Sequence, residues 1–404
     1  MNNIPFKKAN ILLPKNDFEK WSVIACDQFT SDEEYWNKTT EIVGDANSTL
    51  KITLPEVYLE KGDCQERIDA INLEMKKYLE NGIFEEYKDA MIYVERIQQD
   101  GRIKAGIIGA VDLEEYDYSR NAKSKIRATE ATVLERIPPR VKIRKDAPLE
   151  LPHIILLIDD VNKTVIEPIG EKKKDMKKLY DFDLMMGGGH ISGYLLTEDQ
   201  INSVNKALLE LTKGKSDPLL FAVGDGNHSL ATAKECYNLA KKENSPCAEL
   251  ARYALAEFGN IHSDALDFEP IYRVVFDVDP EDIINEMRKE LSNNANTEVK
   301  YVYGEKEGSL NIYVPAEKLC TGVIQDFIDG YIKTHPKARV DYIHGENDVK
   351  QLAKNANTVG FIYEGISKNT LFASVEAAGA LPRKTFSMGE SKDKRYYLEC
   401  RKIK

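Results

Sequence analysis

One short stretch constrains this chain more than any other. Leu219–Val223 is a run of five apolar residues that ends at once in Gly224-Asp225-Gly226-Asn227-His228. A continuous apolar run of that length reads as a strand buried on both faces. Two glycines around an aspartate allow a sharp turn and a close backbone approach to a ligand. The apolar positions that follow, Leu230, Ala233, Tyr237 and Ala240, then fall on one side of a helix. The first turn of such a helix offers backbone N–H groups and a partial positive charge, which suit a phosphate. Asp225 can bind a metal or accept a proton, and His228 can contact phosphate or act as an acid. The bland alternative is a plain turn in which Asp225 or Asn227 caps the helix.

The rest of the chain repeats the alternation of strand and helix. Residues 67–80 carry Ile68, Ile71, Met75 and Tyr78 at helical spacing, and Met91–Val94, Gly106–Val111 and Ile154–Ile158 read as strands. Thr197 is placed to cap a helix carrying Ile201, Val204, Leu208 and Leu211, which stops at Gly214. Past Pro270 the pattern restarts, with a strand at Val274–Phe276, a helix at Glu281–Leu291, strands near Val299–Tyr303 and Leu310–Val314, and a helix over 317–332. The expected fold class is α/β, of the mixed α+β kind. A chain of 404 residues is expected to hold more than one domain. We place an N-terminal region at 1–270, carrying the site, and a C-terminal α/β region at 271–404.

Composition narrows the function. The formal net charge is −11, whereas a protein that wraps phosphate backbones normally shows a basic face, so nucleic acid is not the expected partner. Six cysteines without a CxxC pair read as reduced thiols, which points to the cytoplasm. Met1–Pro5 shows no basic stretch leading into an apolar run, so no signal peptide is expected. No apolar segment approaches the roughly 18 residues that span a bilayer, so no membrane partner is expected. The expected partner is a small-molecule substrate, and a homo-oligomer is left open.

Four further stretches carry chemistry-bearing residues. Val23-Ile-Ala-Cys-Asp-Gln-Phe-Thr-Ser31 brings Asp27 to the end of a short apolar strand, where polar groups commonly line a site. Lys123–Arg144 holds Arg127, Glu130, Arg136 and Arg140, and the planar arginine fork suits phosphate or carboxylate. Pro138-Pro139 prevents that stretch from being one uninterrupted helix. Gly187-Gly188-Gly189-His190 demands a backbone reason, such as a lid or an anion nest, with a plain flexible loop as the bland alternative. His262 and Asp264 share a face if the segment is extended, as a metal or acid–base pair would, and Arg273 just beyond offers another anion contact. No Walker A motif, HExxH, GxSxG or protein-kinase motif set occurs.

Together, Val23–Ser31, Gly224-Asp-Gly-Asn-His-Ser-Leu-Ala-Thr-Ala-Lys234 and Leu381-Pro-Arg-Lys-Thr-Phe-Ser-Met-Gly389 resemble the bacterial domain of unknown function 1015 family along almost the whole chain. More distantly, the Gly-Asp-Gly-Asn-His turn is similar to the phosphate-holding turn of the ParB/sulfiredoxin-like superfamily. One branch of that superfamily is the free L-serine kinases, whose turn reads Asp-Gly-His-His-Arg. Asp225, Gly226, Asn227 and His228 stand at its first four positions, and Ser229 stands where the branch has arginine. The resemblance implies a ParB/sulfiredoxin-like core with additional α/β elements. It also implies phosphorylation of free serine with ATP, ADP or pyrophosphate as donor and Mg²⁺ as the expected metal, its ligands unassigned. In that reading Asp27, Asp225 and His228 are catalytic. Gly224, Gly226, Asn227, Arg127, Glu130, Arg136, Arg140, His190, His262 and Arg273 hold substrate or phosphate. The alternatives are a phosphoserine phosphatase and a ParB-like nucleotide- or nucleic-acid-binding regulator.

Overall fold

The computed structural model describes residues 4–25, 32–54, 64–132, 137–316, 318–389 and 391–404. Asp27 and Arg136 lie outside the described residues. The chain forms two compact units, Met1–Leu266 with Glu390–Lys404, and Asp267–Gly389. The expected 271–404 region is therefore not one body, because its final segment returns to the first unit. Arg401 pairs with Glu150 there, and Cys400 bridges to Leu12.

In the first unit, β1 (Phe6–Lys7), β2 (Ile92–Ile97), β3 (Ile103–Asp112), β4 (Tyr116–Asp117), β5 (Ile126–Ala128), β6 (Ile155–Ile158), β7 (Lys177–Asp183), β8 (His190–Leu195), β9 (Phe221–Asp225) and β10 (Tyr253–Asn260) form a ten-stranded sheet. Among the described residues its order is β7-β8-β2-β3-β10-β6-β9-β5-β4, with β1 on β3. It is mixed: β6 runs parallel to β10 and β9 parallel to β5, while β9 is antiparallel to β6.

Alternation along the strands sends side chains to two cores. Phe6, Phe221 and Phe258 pack on one face with the helices α3 (Glu198–Leu211) and α4 (Asn227–Lys242). Their ring centroids lie 4.8–5.8 Å apart, and each buried phenylalanine contributes about 1.5–3 kcal/mol. The other face packs Ile92, Ile108 and Leu255 against Ile71, Met75 and Tyr78 of α1 (Cys64–Glu80). Thr197 caps α3 through a reciprocal box with Gln200. In α2 (Ile137–Arg144), the paired prolines sit in the first turn, where a missing N–H costs little. Among the described residues no helix is long and apolar enough to cross a membrane.

The second unit is a six-stranded sheet of β11 (Phe268–Phe276), β12 (Thr297–Tyr303), β13 (Lys306–Ile312), β14 (Arg339–His344), β15 (Thr358–Ile362) and β16 (Phe386–Met388), in the order β13-β12-β15-β11-β14, with β16 on β11. The helices Pro280–Leu291 and Cys320–Thr334 share its main core through Ile283, Met287, Ile324 and Phe327.

Candidate functional site

β9 ends in Asp225, and Gly226 turns the chain into α4 with φ +83°. That angle is in the left-handed region, and a Cβ here would stand 3.1 Å from Ile154 Cα. Gly226→Ala is therefore expected to destabilise the first unit by about 1 kcal/mol or more, read as a lower urea midpoint. An unchanged midpoint would show that the turn tolerates a side chain.

Asn227, the first residue of α4, fixes the turn from within. Its Oδ1 accepts from the Thr129 N–H at 3.2 Å, and its Nδ2 donates to Thr129 Oγ1 at 3.3 Å. Thr129 Oγ1 donates in turn to the Val223 carbonyl at 2.6 Å. β5 and β9 are thereby clamped side by side, and Glu130 follows directly on Thr129. The Asn227 amide serves this clamp.

Asp225 accepts from the Gly226 N–H at 2.8 Å, and its other oxygen lies 3.3 Å from Lys394 Nζ. The carboxylate is 33% exposed and the lysine 9%, so the pair sits at a rim rather than in sealed core. On the first turn of α4, Ser229 Oγ lies 3.1 Å from His153 Nε2, and His153 Nδ1 lies 3.3 Å from the Tyr397 hydroxyl. Thr232 Oγ1 donates to the backbone carbonyl of His228. All of Gly224, Asp225, Gly226, Asn227, His228, Ser229, His153 and Tyr397 are half-buried. The first-turn amides of α4 lack acceptors within the helix, as in any helix. Val23–Ile24 pairs with Tyr396–Tyr397, and the Ala25 N–H donates to the Arg395 carbonyl at 2.8 Å. The described chain leading to Asp27 thus ends against the segment that supplies Lys394.

Behind this rim lies a buried ionic network. Arg395 donates to Glu257 at 2.9 Å and to Glu399 at 2.6 Å, and Tyr180 donates its hydroxyl to Glu399 at 2.6 Å. Burial drives the Tyr180 phenol well above its ordinary pKa, and the neighbouring Glu399 adds to the effect. Glu150 is held between Arg401 and Arg144. Burial alone would raise its pKa, but the two guanidinia hold it below the ordinary value.

Several expected site residues are placed elsewhere. Arg127 is buried and donates to the carbonyls of Ser124, Lys123 and Asp217, so it braces a loop. Arg140 is the exception, lying in α2, which packs against the site helix α4. His190 starts β8, five strands from β9, or about 24 Å across the sheet at roughly 4.8 Å per strand. His262 pairs with Asp159 at 2.7 Å rather than with Asp264, which lies by Lys163. Asp225 is in register with Ile155 and Asn260 with Ile158, so His262 sits past the opposite end of β6. Arg273 belongs to the second unit, where it is fully buried. It donates to Gln325 and to the carbonyls of Ile271, Lys384 and Arg383, a structural staple.

The triple glycine has a packing reason. A Cβ on Gly188 would meet the Tyr396 hydroxyl at 2.4 Å, and one on Gly189 the Ile97 carbonyl at 2.1 Å. His190 beside it is held between Asp183 at 2.7 Å and Asp181 at 2.6 Å, and hydrogen bonds to both raise its pKa. A raised imidazole stabilises the fold fully below its unfolded value and loses that contribution as pH rises through the folded one. An NMR titration should place the His190 midpoint above that of a free histidine (about 6.5), and Asp183→Asn should move it down. A midpoint unmoved by that change would disprove the clamp.

Sequence reasoning missed Lys394, His153 and Tyr397. Lys394 lies in the basic run Lys392-Asp-Lys-Arg395, more than 160 residues from the turn it faces. His153 carries no neighbouring motif. Both are found through strand pairing, which no local pattern announces.

A family description reading "Protein of unknown function (DUF1015)" matches residues 4–401. The chain belongs to the DUF1015 family. No curated protein matches this DUF1015 chain. Among solved structures it is similar to a point mutant of free serine kinase in complex with AMP, at 12% identity and TM-score 0.42, covering 73% of this chain and 91% of that one. It is also similar to another mutant of free serine kinase in complex with ADP, at 11% identity and TM-score 0.42, covering 76% and 95%. SbnI with a C-terminal truncation, from Staphylococcus aureus, is similar at 10% identity and TM-score 0.37, covering 70% and 82%.

Proposed function

We propose that this DUF1015 protein is a small-molecule phosphotransferase that phosphorylates the hydroxyl of a small amino acid, free serine foremost. The observation that carries the reading is the Asp225 carboxylate, half-exposed at the strand end between the Gly226 amide and the Lys394 ammonium, beside the first turn of α4. Phosphoryl transfer asks little covalent chemistry of a protein and much positioning and charge stabilisation. The amides of that turn would receive phosphate oxygens. Lys394 would offset developing negative charge, the task the sequence assigns to arginine. The bond from the acceptor oxygen to phosphorus forms as the donor's phosphorus–oxygen bond breaks. Asp225 or Asp27 takes the hydroxyl proton. His228 faces the transferred group in this reading, and Ser229, His153 and Tyr397 form a chain that can pass a proton onward.

The donor, ATP, ADP or pyrophosphate, follows from the resemblance in the sequence. Among the described residues no group of three or more His, Cys, Asp or Glu is placed to hold a metal ion. Mg²⁺ bound with a phosphate donor needs only one or two carboxylates, the remaining ligands being phosphate oxygens and waters. Asp225 or Asp27, whichever does not take the proton, would hold it, and the metal would supply charge neutralisation. The test is to incubate the protein with L-serine, Mg²⁺ and each donor and to follow O-phosphoserine by phosphorus NMR. Phosphate released from O-phosphoserine without nucleotide would show a phosphatase instead. No turnover in either direction with any donor would remove the proposal.

A further inference from the structure

A second feature lies between the sheet and the returning segment, behind the Lys394–Asp225 pair. A cavity of about 20 Å³ is lined by the cations Arg96, Lys104 and Arg395 and the carboxylates Glu257 and Glu399. That volume holds about one water-sized group. The two carboxylates are both claimed by Arg395. Arg96 is spent on the carbonyls of Gly188, Lys394 and Lys392. Lys104 is left over. It lines the cavity yet makes no hydrogen bond or ion pair with any described residue. The lining therefore carries one positive charge in excess, and among the described residues no carboxylate lies within ion-pair distance of that ammonium. A desolvated ammonium without an acceptor is costly, and folds avoid it unless something else supplies the acceptor. Gly106, two residues along the same strand face, keeps the space open: a Cβ there would meet Glu257 Oε1 at 2.7 Å.

We infer that this cavity is an oxyanion subsite in which Lys104 binds the acidic group of a small ligand, a carboxylate or phosphate oxygen entering the volume beside Arg96 and Arg395. The inference rests on the proposed phosphotransferase only for the identity of that ligand as the acceptor amino acid or its phosphorylated product. The subsite itself rests on the unpaired charge.

Lys104→Met separates this from a structural role, because the two move stability and binding differently. Removing a half-buried cation without an ion-pair partner should leave the melting temperature of the ligand-free protein unchanged or raise it. Calorimetric titrations with inorganic phosphate, L-serine, O-phospho-L-serine and phosphoethanolamine should show binding weakened by about tenfold or more. Weaker L-serine and O-phosphoserine with unchanged phosphoethanolamine places the carboxylate at Lys104. Weakening of every phosphate-bearing probe places the phosphate there. If Lys104→Met also lowers stability, Lys104→Arg decides, since restored charge must restore binding. Unchanged affinity for all four probes, or failure of the arginine variant to recover binding, overturns the subsite. Because these are binding measurements, a protein that binds through Lys104 but never forms O-phosphoserine would retain the subsite and lose only the phosphotransferase.

Discussion

Asp225→Asn is expected to lower the rate of phosphoryl transfer to serine by at least about 100-fold while leaving the fold in place. Asparagine has the same shape, and its Oδ1 can still accept from the Gly226 N–H that the carboxylate holds at 2.8 Å. The charge is lost. The variant can neither take a proton nor balance Lys394 or a metal, so the loss falls on the chemical step and the rate constant drops more than serine affinity. Asp27→Asn supplies the comparison. The carboxylate that takes the proton should lose the acidic limb of the pH–rate profile when replaced, and the one that holds metal should instead raise the Mg²⁺ requirement. An Asp225→Asn protein that turns over within a few-fold of wild type would end the assignment of this turn as the reactive centre.

Arg395→Met is expected to give the largest loss of stability, about 3–5 kcal/mol. The side chain is buried and donates to two carboxylates, Glu257 and Glu399, and to the carbonyls of Pro152 and Tyr396. Methionine fills much of the space, but two buried acids are left without their cation. The expected readout is a fall in the urea midpoint of the first unit's transition. Adding Glu257→Gln to Arg395→Met should recover part of it, since one of the orphaned charges is gone. A single variant that costs under about 1 kcal/mol would mean the network behaves like an exposed one.

Both results depend on the segment 390–404, which the sequence alone assigned to the wrong body. The reason is physical. Strand pairing with Val23–Ile24 and Leu149–Glu150 is a long-range event with no local signature. Arg127 and Arg273 illustrate the opposite error. An arginine-rich stretch suggested an anion contact for Arg127, and a place just before a strand suggested one for Arg273, but five donors on one fork also suit bundles of backbone carbonyls, to which both donate. His190 was legible behind a glycine run and His262 as one of an extended pair, but where each stands relative to Asp225 was decided by sheet order and register.

By itself the sequence determined what local chemistry can determine. An apolar run makes a buried strand, a glycine at φ +83° makes the turn, helical spacing makes α4, and Thr197 with Gln200 makes a cap, because each of these is settled within a few residues. The tertiary structure alone decided who stands beside Asp225. Lys394 reaches Asp225, and His153 with Tyr397 reaches the first turn of α4, because a mixed sheet and a returning C-terminal segment bring distant residues together, and buried charge tolerates only the partners that this path delivers.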